Sequence, residues 1–407
     1  MASKPSIAIV GAGPAGLTLG ALLQKQDIPV TIYELRDKPA DNFASIPSGM
    51  LDLHDDSGLA AIRACGLWDQ FLPLAADCSE DMIIMDHQGN VTYTDSDPGH
   101  NRPEVARNAL TQLLLSANNP NAIKWNHKLL NVTRNPNSQI TLNFGENGTF
   151  AHDLVVGADG AWSKVRAIVT DVEPQHGGIY YTTLHIPNAT ERYPKLANLV
   201  GAGTSFILGG KNGLVTHRGV GGSICVHLSV ACSDDDVFSP YKDNTNPEVV
   251  RKMLLDDPNL FQKWSPELQE LINASLTDEQ TPKDPRLLNM RPLYMLPIGH
   301  TWETSPGIAL IGDAAHLMMP WAGEGVNLAM RDALELSKAI VSAWAEDQQS
   351  GNFQEATRPF IAEYEKEMFA RSRGSAEETW SNSKILFGDN GAKAMAELMA
   401  SYGPPPE

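Results

Sequence analysis

An α/β fold is predicted, with a parallel-sheet core, a strand-rich second region and helices at the C-terminal end. Three observations predict it. A short apolar run near the N-terminus enters a GxGxxG turn, a second ends in Asp-Gly in mid-chain, and a third ends in Gly-Asp-Ala-Ala-His late in the chain. All three runs are short and predominantly apolar, as buried parallel strands require.

The first run is Ser6-Ile7-Ala8-Ile9-Val10, followed by Gly11-Ala12-Gly13-Pro14-Ala15-Gly16 and a helical pattern through Leu17, Leu19, Leu22 and Leu23. Gly11 permits the tight turn, Gly13 lets a pyrophosphate approach the backbone, and Gly16 lets helix and strand pack closely. The next strand, Val30 to Tyr33, ends at Glu34, whose carboxylate is expected to reach a ribose. The bland alternative is a glycine turn in some other βαβ unit.

The second run, Asp153 to Ala158, leads into Asp159-Gly160-Ala161-Trp162-Ser163-Lys164-Val165-Arg166 and a short helix. Alone this is a common Asp-Gly turn with Ser163 as helix cap. The third, Ile308 to Ile311, feeds Gly312-Asp313-Ala314-Ala315-His316, then Pro320 and Gly323-Glu324-Gly325-Val326-Asn327, then a helix to about Ala345. Asp313 can accept hydrogen bonds from a polyol, and free N–H groups at the helix start can face an electron-rich ring edge.

Between the second and third motifs, Ile179–Ile186, Thr204–Leu208, Leu214–His217 and Ser223–Ala231 read as an antiparallel sheet. A polar segment, Ser233–Asp236, ends it. Helical stretches follow near Pro247–Leu255 and Pro266–Ala274, and Pro282–Pro285 is a linker. Gly351 breaks the helix after the third motif. A charged helical pattern spans Gln354–Ile385, with a short one at Ala392–Ser401. These helices could brace two domains, but a solvated amphipathic segment needs only packing and is the reading adopted.

The chain has 407 residues, 42% hydrophobic, with net charge -18. That length supports two or three domains. Without a basic stripe, nucleic acid and anionic membrane surfaces are poor partners. Cys65, Cys78, Cys225 and Cys232 have no CxxC spacing and read as reduced core residues, and the eleven histidines form no metal-ligand motif. No signal peptide or membrane-length apolar run is seen, so a cytoplasmic location is expected.

The three motifs in this order resemble the single-component FAD-dependent monooxygenases of the aromatic-hydroxylase group, with the para-hydroxybenzoate hydroxylase fold. Within it the chain looks most like the tetracycline-inactivating enzymes, through Ser48 to His54, Pro103 to Asn108 and Ser163 to Asp171. The resemblance covers roughly residues 5–170 and 285–345. It implies a Rossmann-like FAD-binding domain in three pieces (1–75, 100–172, 285–345), a substrate domain from 76–99 and 173–284, and a C-terminal helical segment, 346–407.

The resemblance also implies site residues. Gly11, Gly13, Ala15 and Gly16 bind the pyrophosphate and Glu34 the adenosine ribose, with Arg36 near a position often basic in the family. Asp52 and Arg107 contact the flavin, and Leu129, on a strand Lys128–Leu130, offers backbone to the adenine. Asp159 belongs to the second fingerprint. Asp313 holds the ribityl chain, and Pro320 and Gly323 to Asn327 lie by the isoalloxazine. Glu324 stands where many relatives carry glutamine and is expected to point outward. Arg107 early in a helical pattern opposes the helix dipole, which a bound phosphate would offset.

The activity implied is insertion of one oxygen atom from O2 into a polycyclic, phenolic or alkaloid-like molecule through a flavin C4a-hydroperoxide, with NADPH or NADH as transient donor. Secondary metabolism and xenobiotic inactivation both fit. The cofactor carries the chemistry, so no side chain is assigned as acid, base or nucleophile. His316 reads as a structural hydrogen-bonding residue behind the flavin loop. Tyr181, Thr183, His217 and His227 are candidate substrate contacts, on whichever sheet face looks inward. A monomer or weak homo-oligomer is expected. The alternatives are an FAD reductase or oxidase, and a non-redox protein that retains FAD.

Overall fold

The computed structural model describes residues 5–75, 78–96, 102–136, 138–232, 246–278, 290–350 and 353–402. Ser233–Asp236, Pro282–Pro285 and Gly351 lie outside the described residues. Short runs of two to four residues from across the chain form a five-stranded parallel sheet. Its order is Ile308–Leu310, Leu154–Gly157, Ile7–Val10, Val30–Tyr33 and Ile123–Lys124. The strands of all three motifs are therefore neighbours, and their C-terminal ends open along one edge. That edge is where ligands bind in open α/β sheets. The centre of the sheet is apolar, with Ile9, Ile32, Val155, Val156 and Leu310 all at 0% exposure.

The strand-rich region forms a second, seven-stranded sheet. Its order is Arg291–Met295, Gln175–Ile186, Ser223–Ala231, Asn212–Gly219, Thr204–Gly209, Met82–Asp86 and Val91–Asp95. It is not purely antiparallel as expected, because Thr204–Gly209 pairs in parallel with Met82–Asp86. No local pattern marks that pairing, since its partners are more than a hundred residues apart in sequence. One face of this sheet carries Leu184, Leu214, Val226 and Leu228 against the helices Pro247–Asp256 and Pro266–Thr277. The other face looks toward the parallel sheet. Between the two lies a short antiparallel ribbon, Met50–Asp52 with Glu104–Ala106.

Two further expectations shift. Lys128–Leu130 is not a strand; the strand is Asn131–Arg134, and Leu130 N–H donates to Asn143 carbonyl oxygen at its edge. The short helix of the second motif is a single 3-10 turn, Arg166–Ile168.

Of the two readings of the C-terminal helices, the bracing one holds and the solvated one is corrected. The helix Phe353–Leu386 packs Ile361, Tyr364 and Met368 into the core of the parallel sheet, and the Tyr364 hydroxyl donates to Leu310 carbonyl oxygen at 3.0 Å. Its end, Leu386, joins Met395 of Gly391–Ser401 against Ile84 and Leu208 of the wide sheet. One long element thus pins both sheets. No helix among the described residues is long and apolar enough to cross a membrane.

Candidate functional site

The first loop is held by backbone contacts. Gly11 has φ +109, and a Cβ there would lie 2.2 Å from the Ala158 carbonyl oxygen. The second motif therefore sits directly on the first. A Cβ at Gly13 would meet nothing within 4 Å, so that side of the loop faces open space. The helix Pro14–Gln24 starts there, leaving N–H groups of its first turn, including Ala15 and Gly16, without helical partners. Glu34 is buried and fastens the loop: Oε2 accepts Ala12 N–H at 2.7 Å and Oε1 accepts Arg36 N–H at 3.0 Å. A carboxylate accepts about four hydrogen bonds, so capacity for a diol is left. The Arg36 side chain is exposed. Leu129 is buried in the segment that follows His127, whose N–H donates to Glu34 carbonyl oxygen.

In the second motif the Asp159 carboxylate serves its own turn. It accepts the Ser163 hydroxyl at 2.5 Å and the N–H groups of Lys164 at 2.8 Å and Val165 at 3.4 Å. Ser163 in turn accepts Arg166 N–H at 2.9 Å, which is the capping role expected of it. Arg166, given no role from sequence, is 3% exposed and donates to Ala161 and Ala314 carbonyl oxygens at 2.8 and 3.1 Å. It latches the second motif to the third. Its carbonyl targets are invisible in sequence.

Asp313 is placed differently. Its side chain is exposed at the floor of the cleft and makes no hydrogen bond among the described residues. Crowding by protein pushes its pKa up, and the nearby His316, Arg107 and Arg166 pull against that rise. Arg107 is the first residue of the helix Arg107–Ser116, and its exposed side chain is near enough to bias Asp313, Tyr181 and His227 electrostatically. Behind the loop, His316 Nε2 meets Asp332 Oδ2 at 2.5 Å. The same oxygen accepts Gly312 N–H at 2.9 Å, and Arg371 donates to Oδ1 at 3.1 Å. His316 is a structural partner, as expected.

At the start of the helix Glu324–Ser350, Asn327 is a clamp. It is fully buried; its Oδ1 accepts His54 N–H at 2.8 Å, and its Nδ2 donates to Asp52 and Gly323 carbonyl oxygens at 3.0 and 3.2 Å. Gly323 N–H donates to Pro320 carbonyl oxygen, closing the turn. Val326 packs partly against the main core. A Cβ on Gly325 would meet nothing within 4 Å. Glu324 does not point freely outward: Oε1 lies 3.5 Å from His54 Nδ1, while His54 Nε2 lies 2.8 Å from Asp52 Oδ2. Two carboxylates overcome the cost of burial and raise His54 to about 9.

Opposite, the wide sheet gathers all four candidate substrate contacts on one face. The register sets Thr183 and Val215 against His227, and Thr204 against His217. Tyr181 hydroxyl and His227 Nδ1 are hydrogen-bonded, and Thr183 Oγ1 donates to Tyr181 at 2.9 Å. His217 Nδ1 meets Glu104 Oε2 at 3.0 Å, and Thr204 donates to Glu104 Oε1 at 2.7 Å. Burial, with the charges of His217, His185 and Arg107, holds His227 well below the usual imidazole range, so it is neutral. Cys78, Glu104 and His217 bring one potential metal-ligand atom each within 4.8 Å of one another, a grouping without a sequence motif. Burial, then the Glu104 charge, pushes the Cys78 thiol up.

Gly13 and Gly325 each present an open backbone face, and Asp313 an exposed carboxylate without a hydrogen-bond partner among the described residues. Comparison with known proteins fits this geometry. The model of the FAD binding domain family matches residues 4–253 and 269–364. The chain belongs to that family. It is 36% identical to monooxygenase penA of Penicillium thymicola, over 98% of this chain and 99% of that protein. Among solved structures, HpxO of Klebsiella pneumoniae complexed with FAD and uric acid has TM-score 0.74 at 18% identity, covering 98% of this chain and 93% of that one. The tetracycline destructase Tet(51) has TM-score 0.67 at 17% identity, covering 98% and 95%. These two share the fold.

As a member of this family the chain is an FAD-dependent monooxygenase that consumes NADPH or NADH and O2. Its residues are compatible with the cofactor: an added Cβ at Gly13 or Gly325 would meet nothing within 4 Å, so both backbone faces are open, and the exposed Asp313 carboxylate has acceptors left for hydroxyls. When bound, FAD supplies the redox chemistry and the protein supplies position and exclusion of water.

Proposed function

We propose that this monooxygenase places one oxygen atom on a polycyclic, phenolic or alkaloid-like small molecule, in secondary metabolism or in xenobiotic inactivation. The observation that carries the reading is the half-buried polar face of Tyr181, Thr183, His217 and His227 opposite the ribbon that bears Asp52 and leads to Arg107. The same face continues into partly buried Phe206, Leu293 and Trp321. A mostly apolar wall with a few fixed polar groups suits a flat, multi-ring molecule with one or two hydroxyl or amide groups. His227, being neutral, can donate to or accept from such a group without paying for a buried charge.

On this reading Gly11, Gly13, Ala15 and Gly16 hold the pyrophosphate, Glu34 the ribose and Asp313 the ribityl chain. Arg107 and the Pro320–Asn327 turn border the isoalloxazine, and Leu129 lies by the adenine. The cofactor domain is 1–75, 100–172 and 285–345, the substrate domain 76–99 and 173–284, and residues 346–407 join them. The enzyme works in the cytoplasm as a monomer or weak homo-oligomer.

Anaerobic stopped-flow reduction by NADPH across a panel of phenolic and alkaloid metabolites tests the substrate reading. A compound that speeds flavin bleaching and returns oxygenated in air is expected. Uniform bleaching rates, with every compound recovered unchanged and only peroxide formed, would refute it. Asp313→Ala should weaken FAD retention; full yellow occupancy of that variant would remove the role given to the carboxylate.

A further inference from the structure

The helix Glu324–Ser350 opens on the cleft with unpaired N–H groups, and the open side of Gly325 leaves room for a flat ring in front of them. A carboxylate in the first turn is attracted to those same groups. Glu324 is that carboxylate. If it lay across the helix start it would compete with ring carbonyl oxygens and would repel the negative charge a flavin gains on reduction. The structure shows it elsewhere. Its Oε1 is 3.5 Å from His54 Nδ1, and the far side of the same imidazole is held by Asp52 at 2.8 Å.

The main chain of His54 is anchored, because its backbone N–H donates to Asn327 Oδ1 at 2.8 Å. Asn327 also donates to the backbone carbonyl oxygens of Gly323 and Asp52, so the main chain under the imidazole, Asp52 and the turn is tied together at one side chain. Each ring nitrogen faces a carboxylate, an arrangement satisfied only when both carry protons. The three side chains then bear a net charge of minus one; without the imidazolium they would bear minus two.

We propose that His54 is a positioning cation: it draws Glu324 away from the helix start and thereby raises the reduction potential of the bound flavin. This rests on the placement of the isoalloxazine at Gly323–Asn327 given above. It requires no new reactant, because the potential is the ratio of the enzyme's affinities for oxidised and reduced cofactor.

The test is a mutant cycle on the FAD-loaded enzyme. Midpoint potentials are measured by anaerobic dye-coupled titration, and oxidised-FAD Kd by fluorescence, for wild type, His54→Gln, Glu324→Gln and the double variant. His54→Gln should lower the potential by about 30 mV, a tenfold loss of preference for reduced flavin, while oxidised-FAD affinity changes less than about threefold. Glu324→Gln alone should move the potential by less than a third of that, and in the double variant it should restore the loss.

An unchanged potential in His54→Gln, or a drop that persists in the double variant, overturns the proposal. If His54→Gln does not fold, Glu324→Gln decides alone: a small shift supports the proposal, and a large positive shift shows that Glu324 acts unscreened and overturns it. Wild-type protein that takes up no FAD would instead remove the underlying reading, and the proposal with it.

Discussion

The two walls of the cleft are made of different material. On the parallel-sheet side the surface is backbone: glycine faces, helix starts and carbonyl contacts, held from behind by Glu34, Arg166 and Asp332. On the wide-sheet side it is side chain: Tyr181, Thr183, His217 and His227, hydrogen-bonded to one another and to Glu104. A backbone wall accepts one ligand shape and tolerates little change. A side-chain wall can be altered residue by residue without disturbing the fold. The first suits a cofactor and the second a substrate that differs among relatives.

The sharpest way to break this contrast is at the glycines. Gly11→Ala sets a Cβ 2.2 Å from a backbone oxygen in a left-handed conformation, so a loss of about 3–5 kcal/mol or failure to fold is expected. Gly13→Ala meets open space, so the apo-protein should melt as wild type does while FAD Kd rises tenfold or more. Thermal unfolding and flavin titration of both variants separate the two roles. Equal FAD affinity in Gly13→Ala and wild type would mean that no ligand touches that face.

A smaller effect is expected at the latch between motifs. Arg166→Met keeps much of the buried volume but leaves the Ala161 and Ala314 carbonyl oxygens unpaired. A stability loss of roughly 2–4 kcal/mol follows. FAD affinity should fall with it, because the latch sets the position of the Asp313 loop. If stability falls and FAD affinity does not, the second motif supports the fold without shaping the cofactor wall.

The backbone wall was legible in the sequence, and the side-chain wall was not. Glycine spacing after an apolar strand has few physical solutions, so Gly11–Gly16 and Gly312–Asn327 announced their geometry and their adjacency. Tyr181, Thr183, His217 and His227 were found as residues, yet their shared face depended on a register that alternation leaves open. His54, Arg166 and Glu104 each act through at least one partner more than a hundred residues away (Glu324, Ala314 and His217), and no local pattern marks such pairs. The parallel pairing of Thr204–Gly209 with Met82–Asp86 escaped for the same reason.

The pH dependence of stability probes the seam between the walls. His54 is raised from 6.5 to about 9 on folding, so its contribution is complete below about 6.5 and is lost as pH rises to about 9. Asp332 runs the opposite way: burial raises it, but His316, Gly312 N–H and Arg371 hold it below its ordinary value, so its share is lost only in acid. Wild-type stability should therefore decline between pH 6.5 and 9, by roughly 2–3 kcal/mol from His54. In His54→Gln that part of the decline should vanish. Urea unfolding at several pH values checks it; parallel curves for the two proteins would show that His54 is not held as a cation.

The smallest effect is expected on the side-chain wall, and there the contrast is most exposed to refutation. Thr183→Val removes a hydroxyl that donates to Tyr181 and sits 3.0 Å from His227 Nδ1. Tyr181 and His227 still have each other, so no buried group is orphaned and the stability cost should stay near 1 kcal/mol. The isosteric methyl keeps the packing of the face. FAD affinity should be unchanged, because the residue stands across the cleft from every glycine loop. What should change is the concentration of substrate needed to speed flavin reduction, rising several-fold while the saturated rate holds. A loss of FAD affinity comparable to that of Gly13→Ala would mean that the two walls are one site, and that separating cofactor from substrate by material is wrong.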